Sequence, residues 1–252
     1  MDEQHLLTNG CSFVWGDELE GCYADPPQHR ELTFTHQLAR RMRMNYTNMG
    51  TCGAGNDKIF RDTVSYLADK SLQQPSHMVI LWSAFQRHEQ AENDADVNPH
   101  NNVQSWDCMS QWSEERVLNL GENCWGPAMS YNQMYDVRTS IMQQIPKMIA
   151  LQELCKAKGI KLLQGFFHVR CKDNIYEAIS KKNREGWDSY QDRLAMMIAQ
   201  LDKTSRLGIG LHKDMYKLAE DMNDIKPQGH PGEQTNEEYA RLLAHVFATQ
   251  FL

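Results

Sequence analysis

The chain has 252 residues, 41% of them hydrophobic, and a formal net charge of −7. That is enough chain for one large globular core, and the charge has the wrong sign for a nucleic-acid surface. Its short basic cluster, Arg40-Arg41-Met42-Arg43, falls where a helix would end, a place that suits cations.

The first stretch, Leu6–Phe13, reads as a strand that runs into Asn9-Gly10 and presents Ser12 on a tight turn closed by Gly16. A polar loop, Asp17–Arg30, follows. Leu32–Met42 has helical spacing, with Phe34, Leu38 and Met42 on one face. Met44–Met49 reads as a second strand, Gly50–Asn56 (GTCGAGN) as a glycine-rich loop and Asn56–Leu67 as a helix. After Pro75 comes His77–Ser83, whose continuous apolar run suits a strand covered on both faces.

Ala91–Ser130 breaks this rhythm. It is polar, carries Trp106, Trp112 and Trp125, and reads as an insertion or lid beside the C-terminal edge of the sheet. Tyr135–Lys156 resumes as a long amphipathic helix, and Gly159 separates it from a strand over Ile160–Phe167. Arg170–Thr204 is a second insertion, helical around Arg193–Leu201. Lys213–Met222 is a short helix and Asn236–Phe251 the closing one. Strands alternating with helices predict an α/β fold: a three-layer α/β/α sandwich on a mostly parallel sheet. The expected organisation is one domain over residues 1–252, with insertions at about 91–130 and 170–204.

Seven cysteines, none spaced as CxxC, read as reduced thiols rather than a disulfide framework or zinc site. Ten histidines show no HExxH pattern, so no metal is expected. The glycine loop lacks the Lys-Ser/Thr of a P-loop and the phase of a dinucleotide fingerprint, and no cofactor is expected. No apolar run nears the roughly 18 residues of a membrane span. The acidic start, MDEQHLLTNG, lacks the basic region of a signal peptide, which predicts a cytoplasmic protein.

In an open parallel sheet, the loops after successive strands meet at one crevice. Ser12, Gly50–Asn56 and Ser83–Arg87 all fall there. Gly229-His230-Pro231, just before the last helix, is placed to hold a histidine over it.

These stretches resemble the SGNH, or GDSL-like, hydrolases. Gly10-Cys11-Ser12-Phe13 with Gly16-Asp17 is similar to the family's first block, where the serine is the nucleophile. Asn48-Met49-Gly50-Thr51-Cys52-Gly53 is similar to the second, which implies an oxyanion role for Gly53. Gly229-His230-Pro231, followed by Tyr239-Ala240 and Leu242-Leu243, is similar to the fifth, where the histidine is the base. Trp82-Ser83 with Arg87 resembles a branch found in tailed phages and bacteria; a phage-encoded protein would act in the host cytoplasm or the virion.

Two blocks depart from the pattern. The third reads Ser83-Ala84-Phe85-Gln86-Arg87 where the family offers Gly-x-Asn-Asp, leaving Gln86, Arg87 or Ser83 as substitutes, with Gln86 the candidate oxyanion donor. Pro227 and Gln228 stand where the family acid precedes the histidine, and the nearest upstream carboxylate is Asp224. The resemblance implies a serine esterase, lipase-like enzyme or deacetylase acting through Ser12, His230 and Asp224. Its oxyanion hole would comprise the Ser12 and Gly53 N–H groups with Gln86. Arg87 and Trp125 are candidates for contact with a small-molecule or carbohydrate acyl ester. The departures support an alternative: a catalytically impaired binding or structural module.

Overall fold

The segment HMVILW has no polar face, so as a strand it needs cover on both sides. In the computed structural model it is β3 (His77–Trp82), and every residue of it is buried. The structure describes residues 4–24, 28–85, 87–91, 106–109, 137–167, 175, 188–201, 206–207 and 214–251. β1 (His5–Gly10), equally buried, and β2 (Asn45–Asn48) precede β3. β4 (His88–Ala91), β5 (Trp106–Met109), β6 (Lys161–Phe166) and β7 (Arg206–Leu207) follow it. The helices are α1 (Ser12–Trp15), α2 (Phe34–Met42), α3 (Asn56–Ala68), α4 (Val137–Ala157), α5 (Asp188–Gln200), α6 (Met215–Met222) and α7 (Glu233–Gln250).

Five of the described strands form one sheet in the order β2-β1-β3-β6-β7, and every pairing in it is parallel. Leu6 faces His77 across β1 and β3, and Gly10 faces Leu81. Strand alternation sends Leu7, Met78, Ile80 and Leu162 to one face, against Ile59 of α3, Ile145 and Met148 of α4 and Leu194 of α5. Leu6, Val79, Leu81 and Leu163 point to the other face, against Phe34 and Leu38 of α2, Leu218 of α6 and Leu243 and Phe247 of α7. This is the expected three-layer α/β/α sandwich. Each fully buried aliphatic side chain in it stabilises the fold by about 1.5–3 kcal/mol.

From β1 the chain crosses to β2 on one side, then returns past β1 to β3 on the other. The connections leave β1 and β3 toward opposite faces, which opens a crevice at their C-terminal ends.

The boundaries differ from expectation at two places that matter. β1 stops at Gly10 rather than Phe13, and Ser12 already belongs to the one-turn helix α1. The cause is a close approach. A Cβ at Gly10 would lie 2.4 Å from Val14 Cγ2 and 2.8 Å from the Leu81 carbonyl, so the chain must bend sharply there. The closing helix starts at Glu233, three residues before Asn236. Its N-cap, Gly232, has no side chain to accept a hydrogen bond, and Asp224 supplies one from outside: its Oδ2 accepts the Thr235 N–H at 2.7 Å.

β4 and β5 pair antiparallel in a separate two-stranded sheet. The rest of the first insertion, with Trp112 and Trp125, lies outside the described residues, as do Gln86 and most of 170–187. Among the described residues, no helix is long and apolar enough to cross a membrane.

Candidate active site

Ser12 is the first residue of α1. The Cys11 carbonyl accepts the N–H groups of Val14 and Trp15, and Gly16 ends the turn at φ 88°. This single turn aims the hydroxyl out of the sheet edge. The Ser12 N–H, at the start of the helix, donates to no group among the described residues.

The turn is stitched to the loop after β2. Asn48 Nδ2 donates to the Val14 carbonyl at 2.7 Å, and the Thr51 N–H donates to the Gly10 carbonyl at 3.1 Å. A Cβ at Gly50 would sit 2.4 Å from the Trp15 nitrogen, so only glycine fits. Two residues beyond Thr51, Gly53 has φ 76°, and its N–H also has no acceptor among the described residues. Arg87, past β3, reaches this loop: its Nη1 lies 3.5 Å from the Ala54 carbonyl.

His230 arrives from the loop between α6 and α7. That loop is closed by backbone bonds from Lys226 N–H to the His230 carbonyl and from Gly232 N–H to the Asp224 carbonyl. Asn236 of α7 donates to the Gly232 and Pro231 carbonyls and accepts the Phe34 N–H. His230 is therefore anchored to two helices of one layer. Its ring packs beside Phe13, with centroids 5.5 Å apart, and Nε2 lies 2.9 Å from Ser12 Oγ.

The other ring nitrogen meets a carboxylate, and that carboxylate is Glu18. Its Oε2 lies 2.8 Å from His230 Nδ1. Glu18 also accepts the N–H groups of Gln228, at 2.9 Å, and His230, at 3.3 Å. The side chain is 7% exposed. Burial pushes its carboxyl pKa up, but the bonds from Gln228 and His230 outweigh burial and hold it below the usual value. Glu18 sits at φ 62°, in the left-handed region that residues other than glycine seldom occupy. Its neighbour Asp17 faces the opposite ring nitrogen, with Oδ2 3.6 Å from His230 Nε2.

Asp224, the carboxylate expected at this place from the sequence, is engaged elsewhere. Its Oδ2 accepts both the N–H and the hydroxyl of Thr235, which ties it to the start of α7. The structure thus brings together Ser12, His230 and Glu18, with Gly53 and Arg87 on the loops alongside. Gln86 and Trp125 lie outside the described residues. The sequence does not point to Glu18 because the family pattern places a carboxylate beside the histidine, whereas Glu18 lies 212 residues away, six residues after Ser12.

Among the described residues, no group of three or more His, Cys, Asp or Glu side chains is placed to hold a metal ion. Desolvation and the charge of Asp17 push the thiol of Cys52, an exposed residue next to Gly53, up to about 12, which makes it a poor source of thiolate.

The sequence matches no protein-family model and no curated protein. An acetyl xylan esterase from the rumen bacterium Butyrivibrio proteoclasticus superposes with a TM-score of 0.50 at 12% identity, over 98% of this chain and 64% of that one. The two chains share their fold. This chain spans less than two thirds of that esterase. Two further similar structures are a lipolytic protein of the G-D-S-L family from Veillonella parvula and a lipase from a goat rumen metagenome. The first has a TM-score of 0.43 at 11% identity, over 97% of this chain and 96% of that one. The second has 0.44 at 12%, over 96% and 97%.

Proposed function

We propose that this protein is a serine ester hydrolase in which Ser12 is the nucleophile, His230 the general base and Glu18 the acid that orients it. The observation that carries the reading is the unbroken line of contacts from Ser12 Oγ to His230 Nε2 and from Nδ1 to Glu18 Oε2. A serine hydroxyl becomes a competent nucleophile when an imidazole takes its proton, and the imidazole needs a fixed tautomer and a counter-charge. Glu18 fits both needs, since it accepts from Nδ1 and is held ionised.

In the proposed reaction, Ser12 Oγ bonds to the acyl carbon as its proton passes to His230 Nε2. The N–H groups of Ser12 and Gly53 receive the developing oxyanion. The carbon–oxygen bond to the leaving alcohol then breaks, and Nε2–H protonates that oxygen. Water, deprotonated by His230, releases the acid and restores Ser12. Arg87, beside the Gly53 loop, is placed to meet the acyl part of the substrate. The binding-module alternative rests on two departures, the third-block residues and the missing acid; the contact of Glu18 with His230 supports an answer to the second.

A fluorophosphonate probe should label the wild type at Ser12. Ser12→Ala and His230→Ala should each abolish hydrolysis of p-nitrophenyl acetate, and the double variant should be little worse, because the residues act as a unit. Activity that survives Ser12→Ala would sink the assignment. Folded wild type that neither labels nor hydrolyses esters would favour the binding module.

A further inference from the structure

The proposed mechanism leaves Asp17 without a task, although its carboxylate is the second group at the reactive nitrogen of His230. Ser12 Oγ lies 2.9 Å from Nε2 and Asp17 Oδ2 lies 3.6 Å from it. Asp17 is held in place by its other oxygen: Oδ1 accepts the Tyr23 hydroxyl at 2.9 Å and the Glu18 N–H at 3.2 Å. The Asp17 side chain is only 16% exposed, and its Oδ2 faces the place where chemistry occurs. Beside it the Tyr23 ring is 72% exposed although its hydroxyl is tethered.

Building on the ester-hydrolase reading, we infer that Asp17 selects the leaving group: the alcohol released is a neutral polyol whose hydroxyl, on the carbon next to the ester oxygen, donates to Asp17 Oδ2. When Nε2–H protonates the leaving oxygen, that oxygen must lie within hydrogen-bond reach of Nε2. A substituent on the adjacent carbon is then brought to Oδ2, the other group bordering Nε2. An ionised carboxylate only accepts, so it calls for a donor there. An anionic leaving group is repelled. A cationic one would be drawn to Asp17, but it would also place positive charge beside the imidazolium that forms in every turnover and oppose its formation. A neutral hydroxyl meets the acceptor without either penalty. The exposed ring of Tyr23 offers an apolar face to the carbon skeleton of the same alcohol.

The test compares kcat/KM for 2-hydroxyethyl acetate, 2-methoxyethyl acetate and acetylcholine, with p-nitrophenyl acetate as the reference ester. A hydrogen bond to a charged acceptor should favour the hydroxyethyl over the methoxyethyl ester about 10- to 100-fold in wild type. Asp17→Asn, shown to be folded by circular dichroism, should bring that ratio close to unity. Equal wild-type rates on the two esters would overturn the inference. So would an unchanged ratio in Asp17→Asn, or a preference for acetylcholine. Wild type that hydrolyses p-nitrophenyl acetate without a hydroxyl preference would defeat this inference alone. Wild type that hydrolyses none of the four and takes no fluorophosphonate label would defeat the ester-hydrolase reading and this inference with it.

Discussion

Glu18 holds a left-handed backbone conformation that costs a non-glycine residue about 1–2 kcal/mol. Three donors compensate: His230 Nδ1 and the N–H groups of Gln228 and His230. Unlike Arg43 and Asn223, which take the same conformation as helix C-caps, Glu18 ends no helix, and its strain supports the proposed role. Glu18→Gln keeps the shape but removes the charge that balances the imidazolium. We expect kcat to fall by about 10³–10⁴, the scale of the acid-to-amide change in a serine protease, with the folded state intact by circular dichroism. A fall of less than tenfold would remove Glu18 from the mechanism. The meeting of Ser12 and His230 was legible in the sequence because each sits in a short glycine-bearing motif at a predictable loop. Glu18 was not, since nothing local marks a residue whose partner is 212 positions away. Gln228, near the family's usual acid position, still takes part, but through its backbone N–H, which no residue pattern reports.

The loop and helix that deliver His230 behave as one element. Asp224 joins them: its carboxylate caps α7 at Thr235, and its carbonyl accepts the Gly232 N–H at 2.7 Å. Gly232 packs so closely that a Cβ there would lie 2.1 Å from Asp224 Oδ1. Asp224→Ala should therefore cost about 1–2 kcal/mol, as loss of a good cap does, and lower the midpoint of chemical unfolding. Its effect on kcat should stay well below that of Glu18→Gln. Equal losses of activity in the two variants would return Asp224 to the mechanism. Gly232→Ala should reproduce the stability loss, since the added methyl displaces the same carboxylate. The start of this helix was misread because glycine is a weak cap in sequence, and its surrogate lies eight residues upstream of it.

At the scale of the whole molecule, the sheet was the most legible feature. HMVILW has no polar face, and a strand of that kind must lie in the middle of a layered sheet. What periodicity could not convey was the spatial order β2-β1-β3-β6-β7, because order depends on pairings between distant segments. The same buried centre gives the fold a pH dependence. His77 opens β3, 4% exposed, with its ring edge-on to Phe247 of α7 and Nδ1 3.0 Å from Ser76 Oγ. Burial, aided by the charge of Lys161, lowers its pKa from 6.5 to about 4. Between those values the unfolded chain binds a proton that the folded chain refuses, so stability rises with pH across this window. As pH falls from about 6.5 to about 4, this residue should remove up to about 3 kcal/mol of unfolding free energy, the equivalent of its shift. Below about 4 both states are protonated and its contribution stops changing. Buried His29, whose pKa is also lowered by burial, acts in the same direction. Urea unfolding midpoints for wild type and His77→Gln, measured from pH 7 to pH 4, isolate the effect: the variant should start less stable at pH 7 and lose less on acidification. Parallel curves for the two proteins would show that His77 is not the group that couples the central sheet to acid.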